Sequence, residues 1–253
     1  MRKLLVIGIG TGNPEHMTVQ AVSAVNRADV VLIPRKGEAK DDLAEVRRQI
    51  CARFVTNPET RIVEFDLPVR DQSGDYRKGV HDWHQAIATT YRDLLQAETN
   101  EEGAAAFLVW GDPSLYDSTL RIIERLKGLA PFDLSIEVIP GITSIQQLCA
   151  SHRIPLNKIG DPVVVTTGRQ LRDGFPAGVD TAVVMLDGEC SFQHLEASAF
   201  TIFWGAYLGT KDEILVEGPL SAVGSEIVAV REAARAKHGW IMDTYLLLRR
   251  SNS

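Results

Sequence analysis

Two features of the sequence could do acid–base or metal chemistry, namely an isolated carboxylate and a pair of histidines. Asp243 interrupts the apolar run from Ile241 to Leu248, and a buried carboxylate needs a partner or a polar cavity. His81 and His84 are three residues apart in a predicted helix, so both rings lie on one helix face. No carboxylate or cysteine stands where it would complete a closed metal site. We therefore predict no metal site, and the histidines are either substrate contacts or part of an exposed face.

Three glycine-containing loops each follow an apolar run of the kind that forms a buried strand. Their sequences are Gly8-Ile-Gly-Thr-Gly12, Gly111-Asp-Pro113 and Pro140-Gly-Ile-Thr-Ser144. Glycine lets a backbone turn sharply and lie close to a ligand, because no Cβ is in the way. Taken alone, Gly-Asp-Pro is also a common turn. In open α/β sheets, however, ligands bind at the carboxyl ends of the strands, so the three loops together predict a ligand site.

A dinucleotide-binding fingerprint is the alternative interpretation of the first loop. That fingerprint has the spacing Gly-x-Gly-x-x-Gly and leads directly into a helix. This loop has the spacing Gly-x-Gly-x-Gly, and its helix begins several residues later, near Thr18. The second strand ends in Pro34-Arg-Lys-Gly37, where the fingerprint would place a ribose-binding carboxylate. An NADP-dependent oxidoreductase therefore stays an alternative, kept open by the glycine loop and by Arg35 and Lys36.

The composition argues against several classes of protein. The chain has 253 residues, a formal net charge of −6 and a pI near 5.6, whereas non-specific nucleic-acid binding requires a basic face. Cys51, Cys149 and Cys190 are widely spaced and form no Cys-x-x-Cys pair, which indicates reduced, cytoplasmic cysteines rather than disulfides or a zinc site. No apolar run approaches the length of a membrane span. We predict a cytoplasmic protein that binds neither nucleic acid nor a membrane.

Read together, the three loops resemble the signature loops of the tetrapyrrole (corrin and porphyrin) methylases. The resemblance rests on Val6-Ile-Gly-Ile-Gly-Thr-Gly12, on Gly111-Asp-Pro113 with Tyr116, and on Val138-Ile-Pro-Gly-Ile-Thr-Ser144. It extends from about residue 4 to about residue 250. The runs that resemble one member, which methylates precorrin-5 and removes an acetyl group, are Val109 to Thr119, Trp204 to Leu215 and His238 to Leu246.

The family uses S-adenosyl-L-methionine as methyl donor, so the resemblance implies this cofactor and no metal. Many relatives have proline where Thr11 stands, and a shift of two residues in the alignment would make Leu208 the contact instead of Ala206. Carried over to this chain, the cofactor contacts are Gly10, Thr11, Gly111, Asp112, Leu115, Thr143, Ser144, Met185 and Ala206.

The substrate that the resemblance implies is precorrin-5, a polycarboxylate tetrapyrrole of cobalamin (vitamin B12) biosynthesis. The enzyme would methylate C1 and release the extruded acetyl group as acetic acid, giving precorrin-6A. Loss of the acetyl group requires a water molecule that attacks its carbonyl and a side chain that accepts or donates a proton. Tyr116 and Asp243 are the candidate catalytic residues for this proton transfer. Carboxylates need cationic partners when they are desolvated, and we assign that role to Arg35, Lys36, Arg70, His81, His84 and Arg169.

The fold that the resemblance implies is the α/β, two-domain tetrapyrrole methylase fold, with a mostly parallel N-terminal sheet and a mixed C-terminal sheet. We predict an N-terminal domain of residues 1–114 and a C-terminal domain of residues 115–253, with the active site in the cleft between them, because domain interfaces commonly hold such sites. The resemblance also suggests a homodimer. Methylation at another ring position is the main alternative function, and a non-catalytic tetrapyrrole carrier is a further one.

Overall fold

The chain forms two compact units, which consist of Met1–Ile142 and Thr143–Ser253. The structure is a computed structural model that describes residues 1–35, 41–69 and 76–250. The first unit extends well beyond residue 114, where the sequence placed the boundary. The reason is that the strand Leu134–Ile139 pairs with the first strand of the chain and completes the first sheet.

The first unit contains a five-stranded sheet in which every neighbouring pair of strands is parallel. Its central strands are continuous apolar runs, as expected for strands that are covered on both faces. The sheet order is β3-β2-β4-β1-β5. The strands are β1 (Arg2–Gly8), β2 (Val30–Arg35), β3 (Arg61–Asp66), β4 (Ala104–Val109) and β5 (Leu134–Ile139).

Helices cover both faces of this sheet because successive side chains of a strand point to opposite faces. Leu5 and Ile7 of β1 belong to one core cluster, with residues of α1 (Val19–Val25) and α2 (Asp41–Phe54). Leu4 and Val6 belong to the other, with residues of α3 (Tyr76–Glu98) and α4 (Thr119–Leu129). The strand β4 is therefore followed by a helix on one face, and its neighbours β1 and β2 by helices on the other. Where the helices after neighbouring strands lie on opposite faces of a sheet, a crevice is left at the carboxyl ends of those strands.

The second unit contains a mixed five-stranded sheet of order β6-β7-β10-β8-β9. Only β6 and β7 are parallel, and the other neighbours are antiparallel. The predicted fold class, a parallel sheet followed by a mixed one, is confirmed. The elements are α5 (Ser144–His152), β6 (Val163–Thr167), α6 (Gly168–Leu171), β7 (Thr181–Met185), β8 (Phe200–Ala206), β9 (Ile214–Pro219), α7 (Leu220–His238) and β10 (Asp243–Arg249).

The helix α5, which begins at the third glycine loop, is fixed to the second sheet through His152. The Nε2 atom of this buried imidazole donates to the carbonyl oxygen of Trp204 over 3.0 Å, and Nδ1 lies 2.8 Å from a carboxylate oxygen of Glu217. Both contacts join the helix to strands β8 and β9. Along the described parts of the chain, none of the helices combines the length and the hydropathy that crossing a membrane requires.

Candidate active site

The first two glycine loops hydrogen-bond to each other at the carboxyl ends of β1 and β4. The amide of Gly111 donates to the carbonyl of Gly10 over 2.8 Å, and the amide of Gly10 donates to the carbonyl of Gly111 over 3.3 Å. Both residues have a positive φ, +78° at Gly10 and +66° at Gly111. Glycine adopts this conformation at little cost, whereas most side chains oppose it. The two loops therefore form a local antiparallel bridge that other residues would strain.

The third loop packs against the first two so closely that no side chain fits between them. A Cβ added to Gly141 would lie 2.1 Å from the carbonyl oxygen of Gly111, and one added to Gly8 would lie 2.6 Å from the amide nitrogen of Gly141. Both distances are far shorter than ordinary van der Waals contacts. The three loops consequently present a continuous surface of backbone. Such a surface fits a ligand that must approach the main chain closely.

Asp112 joins the second loop to the third. One carboxylate oxygen accepts hydrogen bonds from the amide of Ser114 over 2.8 Å and from its hydroxyl over 2.5 Å, and the other accepts from the amide of Gly141 over 2.8 Å. Partial burial raises the pKa of Asp112, but these hydrogen bonds to the charged form outweigh it and hold the pKa below its ordinary range. Asp112 therefore holds the second and third loops together through hydrogen bonds of its carboxylate.

We expect Asp112→Asn to lower the free energy of unfolding by about 1–3 kcal/mol at pH 7, because the new amide nitrogen would face the backbone amide of either Gly141 or Ser114 and leave it unsatisfied. The folded-state pKa of Asp112 is depressed, so its stabilising effect is present above the unfolded pKa of about 3.9 and is lost as the pH falls through the folded value. The difference between the two proteins should shrink below about pH 4. Urea unfolding at pH 7 and pH 3 measures it.

Asp66→Asn is the control for this prediction. Asp66 pairs with Arg35 on the surface, and exposed pairs contribute at most about 1 kcal/mol. An equal loss of stability in both variants, or a loss in Asp112→Asn that is the same at both pH values, would contradict the assigned role.

The side chains of Thr11 and Thr143 are engaged within their own units. The Thr11 hydroxyl is buried and lies 3.0 Å from Nδ1 of His16. Thr143 is the N-cap of α5: its hydroxyl accepts from the amide of Ile145 over 3.2 Å, and its own amide donates to Oε1 of Gln146 over 3.0 Å. This is a capping box. Any ligand contact from these two residues would therefore come mainly from their backbone atoms.

Three of the predicted cofactor residues converge on the start of β10 in the second unit. Met185 pairs with Thr244, and Ala206 pairs with Asp243. The hydroxyl of Thr244 donates to that of Ser144 over 3.0 Å. Residues from α5, β7 and β8 that are far apart in sequence thus lie around one point of the sheet.

Backbone strain is concentrated beside the predicted cofactor residues. Five non-glycine residues in the described part of the chain have a positive φ, and three of them directly follow Leu115, Met185 and Ala206. A bulky side chain in this region is an outlier that costs roughly 1–3 kcal/mol and occurs preferentially at functional sites. The three residues are Tyr116 (φ 49°), Leu186 (φ 53°) and Tyr207 (φ 50°).

The candidate catalytic residue Asp243 has internal partners. Its side chain is 7% exposed, and its carboxylate accepts from Nε of Arg231 over 2.9 Å and from the indole of Trp204 over 3.0 Å. Burial raises the pKa of Asp243, against the opposing effect of the Arg231 guanidinium. These contacts account for a carboxylate at this position. Its catalytic role stays a prediction that the contacts do not require.

Arg231 also holds the segment that follows β7. Its Nη2 atom donates to the carbonyl of Asp187 over 2.8 Å, and Nη1 donates to that of Gly188 over 3.4 Å. The buried Asp187 carboxylate in turn accepts from the amide of Ser191 over 2.6 Å and from the hydroxyl of Tyr245 over 2.5 Å. One buried network therefore fixes the ends of both β7 and β10.

The comparison with known proteins decides the family. The family described as Tetrapyrrole (Corrin/Porphyrin) Methylases matches residues 3–224. This chain belongs to the tetrapyrrole methylase family. The family resemblance that the three loops indicated is confirmed.

Two individual proteins are similar to this tetrapyrrole methylase over almost their full lengths. The precorrin-6A synthase [deacetylating] of Sinorhizobium sp. is 59% identical over 248 residues, which cover 98% of this chain and 95% of that protein. The crystal structure of a cobalamin synthesis related protein (CobF) from Corynebacterium diphtheriae has a TM-score of 0.87 and 39% identity, covering 99% of this chain and 100% of that one.

A more distant structure shares the fold of this tetrapyrrole methylase. It is the uroporphyrin-III C-methyl transferase of Thermus thermophilus complexed with S-adenyl homocysteine. Its TM-score is 0.58 at 19% identity, covering 97% of this chain and 96% of that one. At this identity the similarity supports the fold alone.

The basic residues predicted to bind substrate differ in how available they are. Arg35 is exposed, but its guanidinium makes two hydrogen bonds, of 3.1 and 3.0 Å, with the Asp66 carboxylate. Lys36 and Arg70 lie outside the described residues. Arg169 is exposed near the start of α6. Arg35 therefore already has a carboxylate partner within the protein.

The histidines of α3 lie beside two arginines of α4 that the sequence did not single out. The guanidinium of Arg125 donates to Nδ1 of His81 over 3.2 Å and to its carbonyl over 3.3 Å. His84 is 8% exposed, and burial lowers its pKa, with further lowering by the nearby Arg125 and Arg121. His84 thus favours the neutral form and is a poor partner for a carboxylate. Over the described ranges, no group of three or more possible metal ligands is found.

Proposed function

We propose that this protein methylates C1 of precorrin-5 with S-adenosyl-L-methionine and releases acetic acid, giving precorrin-6A. The observation that carries the proposal is the 59% identity to a precorrin-6A synthase [deacetylating] over nearly the whole length of both chains. The same resemblance leads us to propose a cytoplasmic homodimer, which light scattering of the purified protein would test for its oligomeric state.

The backbone surface of the glycine loops supports the choice of cofactor. S-adenosyl-L-methionine supplies a methyl group on a positively charged sulfur when it is bound. Gly10 and Gly111 would let its adenosyl and amino-acid parts approach the main chain, and Ser144, Met185 and Ala206 would contribute the contacts that the family pattern assigns. The protein's part is to orient donor and acceptor and to exclude water.

The arginines beside the two histidines of α3 support a polycarboxylate substrate. Arg121 is exposed and, among the described residues, forms no hydrogen bond or ion pair, and Arg125 uses its guanidinium only toward His81. Guanidinium groups bind carboxylates through paired hydrogen bonds. We therefore add Arg121 and Arg125 to the proposed substrate contacts, together with the exposed Arg169.

Tyr116 is the residue we propose for the proton that acetyl loss requires. It stands three residues after the end of the second loop, its φ is 49°, and it is 43% exposed. We expect Tyr116→Phe to reduce acetic acid formation by about 100-fold, the lower end of the usual effect of a general acid or base. Binding of S-adenosyl-L-homocysteine should be unchanged. Acetate formation close to that of the parent protein would remove Tyr116 from the mechanism.

The choice of acceptor tests the proposed function. Purified protein is incubated without oxygen with methyl-labelled S-adenosyl-L-methionine and, separately, precorrin-5, precorrin-2 or uroporphyrinogen III. We expect label in the macrocycle only with precorrin-5. Transfer to another acceptor instead would identify a methylase of a different ring position. Binding of S-adenosyl-L-methionine without transfer to any of the three would refute the substrate assignment.

A further inference from the structure

A small cavity in the first unit is lined by residues on either side of the second glycine loop and by none of the loop glycines. It lies at the carboxyl ends of β2 and β4, where the following helices lie on opposite faces of the sheet. Val109 lines it just before the second loop, and Asp117 lines it just after Tyr116. The cavity therefore adjoins the loop that we assign to the cofactor.

The size of this cavity restricts its occupant. Its volume is about 100 Å³, whereas one water molecule needs roughly 10–15 Å³ and pockets for drug-sized ligands measure about 300–1,000 Å³. Neither an adenosyl group nor a tetrapyrrole ring fits such a space. A group of three or four heavy atoms does.

The hydroxyl group of Tyr91 points to a polar occupant. Tyr91 is 6% exposed and lines the cavity, and its ring packs on Phe107 with 4.2 Å between the ring centroids. Among the described residues, no hydrogen bond reaches its hydroxyl. Buried tyrosine hydroxyls usually have a hydrogen-bond partner. Burial and the neighbouring Asp117 also raise the pKa of Tyr91 far above its usual value, so the hydroxyl keeps its proton and can donate it in a hydrogen bond.

The charges around the cavity balance. Arg47 lines it, with its Nε atom donating to the carbonyl of Leu108 over 2.9 Å. The Asp117 carboxylate lines it as well and accepts a hydrogen bond from the backbone amide of Thr119 over 2.6 Å. One positive and one negative group give no net attraction for an anion. A neutral group with a carbonyl acceptor suits this combination better than a carboxylate does.

We propose that the cavity binds a short neutral acyl group through the Tyr91 hydroxyl, and that its occupant is the acetyl group of the substrate. This inference rests on the proposed function for the identity of the acyl group. Acetate, once formed, carries a charge for which the balanced pair of Arg47 and Asp117 gives no net attraction, so the cavity would hold the charged product less tightly than its neutral precursor.

Acetamide is a suitable probe because it is neutral and has the carbonyl and the size of an acetyl group. The chain has five tyrosines, so labelling with tyrosine that carries ¹³C at the hydroxyl-bearing ring carbon gives few NMR signals, and Tyr91→Phe assigns the one of interest. We expect acetamide to shift the Tyr91 signal saturably and to leave the others in place, whereas acetate has a much weaker effect. No shift at Tyr91, or equal shifts of all tyrosines, would mean that the cavity holds only water.

Asp117→Asn provides a second, independent variant. It removes the negative charge and leaves an oxygen that can still accept the Thr119 amide. We expect acetate to shift the Tyr91 signal in this variant more strongly than in the parent protein. If acetate binds the two proteins equally, the charge balance assigned to the cavity is wrong.

Turnover separates this inference from the proposed function. In Tyr91→Phe, which keeps the packing of the ring, we expect acetic acid release from precorrin-5 to fall about fivefold, the size of one neutral hydrogen bond. If acetamide shifts Tyr91 but the parent protein releases no acetate, the proposed function fails and the acyl site stands. If the parent protein releases acetate but Tyr91 does not respond to acetamide, only the acyl site fails.

Discussion

Gly141→Ala is expected to lower the free energy of unfolding by about 3 kcal/mol, at the upper end of the usual cost of overpacking. The new Cβ would lie 2.1 Å from the carbonyl oxygen of Gly111 and 2.8 Å from the carbonyl carbon of Gly8. Both are backbone atoms, so no side chain can rotate away to relieve the contact. Because the three loops would have to separate, binding of S-adenosyl-L-homocysteine should also weaken strongly. Thermal unfolding and calorimetric titration measure the two effects.

Gly128→Ala is the matched control. Gly128 lies in the exposed part of α4, and a Cβ there would meet no atom within 4 Å. Alanine in a helix is favoured over glycine by about 1 kcal/mol, so this variant should be at least as stable as the parent and bind the ligand normally. If Gly141→Ala behaves like Gly128→Ala, the loops are not packed as described.

Arg231→Met should have an effect of similar or larger size in the second unit. Removing the guanidinium leaves the buried Asp243 carboxylate without its charge partner and removes donors from the carbonyls of Asp187 and Gly188. Breaking a buried ion pair in this way typically costs about 3–5 kcal/mol. We expect a correspondingly lower midpoint of urea unfolding.

Arg172→Met tests whether the loss of any arginine would do the same. Arg172 pairs with Glu189 on the surface, so its replacement should cost at most about 1 kcal/mol. Replacing Arg231 by Met and Asp243 by Leu together should recover part of the lost stability, since it removes the unpaired buried carboxylate while the Trp204 indole loses its acceptor. An Arg231→Met protein as stable as the parent would contradict the network described here.

The fold class was predicted through the family resemblance, and the continuous apolar runs of the first sheet agree with it. The sequence misplaced the boundary between the two units, because hydrophobic patterning shows that Leu134–Ile139 is a strand but not which sheet it joins. That depends on its parallel pairing with β1, a contact across more than a hundred residues of sequence. The strand Ile214–Pro219 is not indicated by hydrophobic patterning, since its edge position leaves a mixed pattern of exposed and buried residues.

The part of the site that is formed by backbone atoms was predictable from the sequence. The positions of its charged side chains were less predictable. The glycine loops can be recognised in the sequence, because their close packing leaves no room for a side chain at Gly8 and Gly141. Arg231 could have been found as the partner of Asp243, because it shares its helical spacing with the buried Ile227 and Ala234. Arg121 and Arg125 had no such signal. Their place beside His81 and His84 follows from the packing of α3 on α4, which no local pattern specifies.

The most direct test of the proposed function is the stoichiometry of methyl transfer and acetate release in one sample. The protein is incubated without oxygen with precorrin-5 and S-adenosyl-L-methionine that carries a ¹³C methyl group, and both products are followed by NMR. We predict one ¹³C methyl group at C1 of the macrocycle for each acetate in solution. A methyl group at another carbon, or methylation without acetate, would contradict the account.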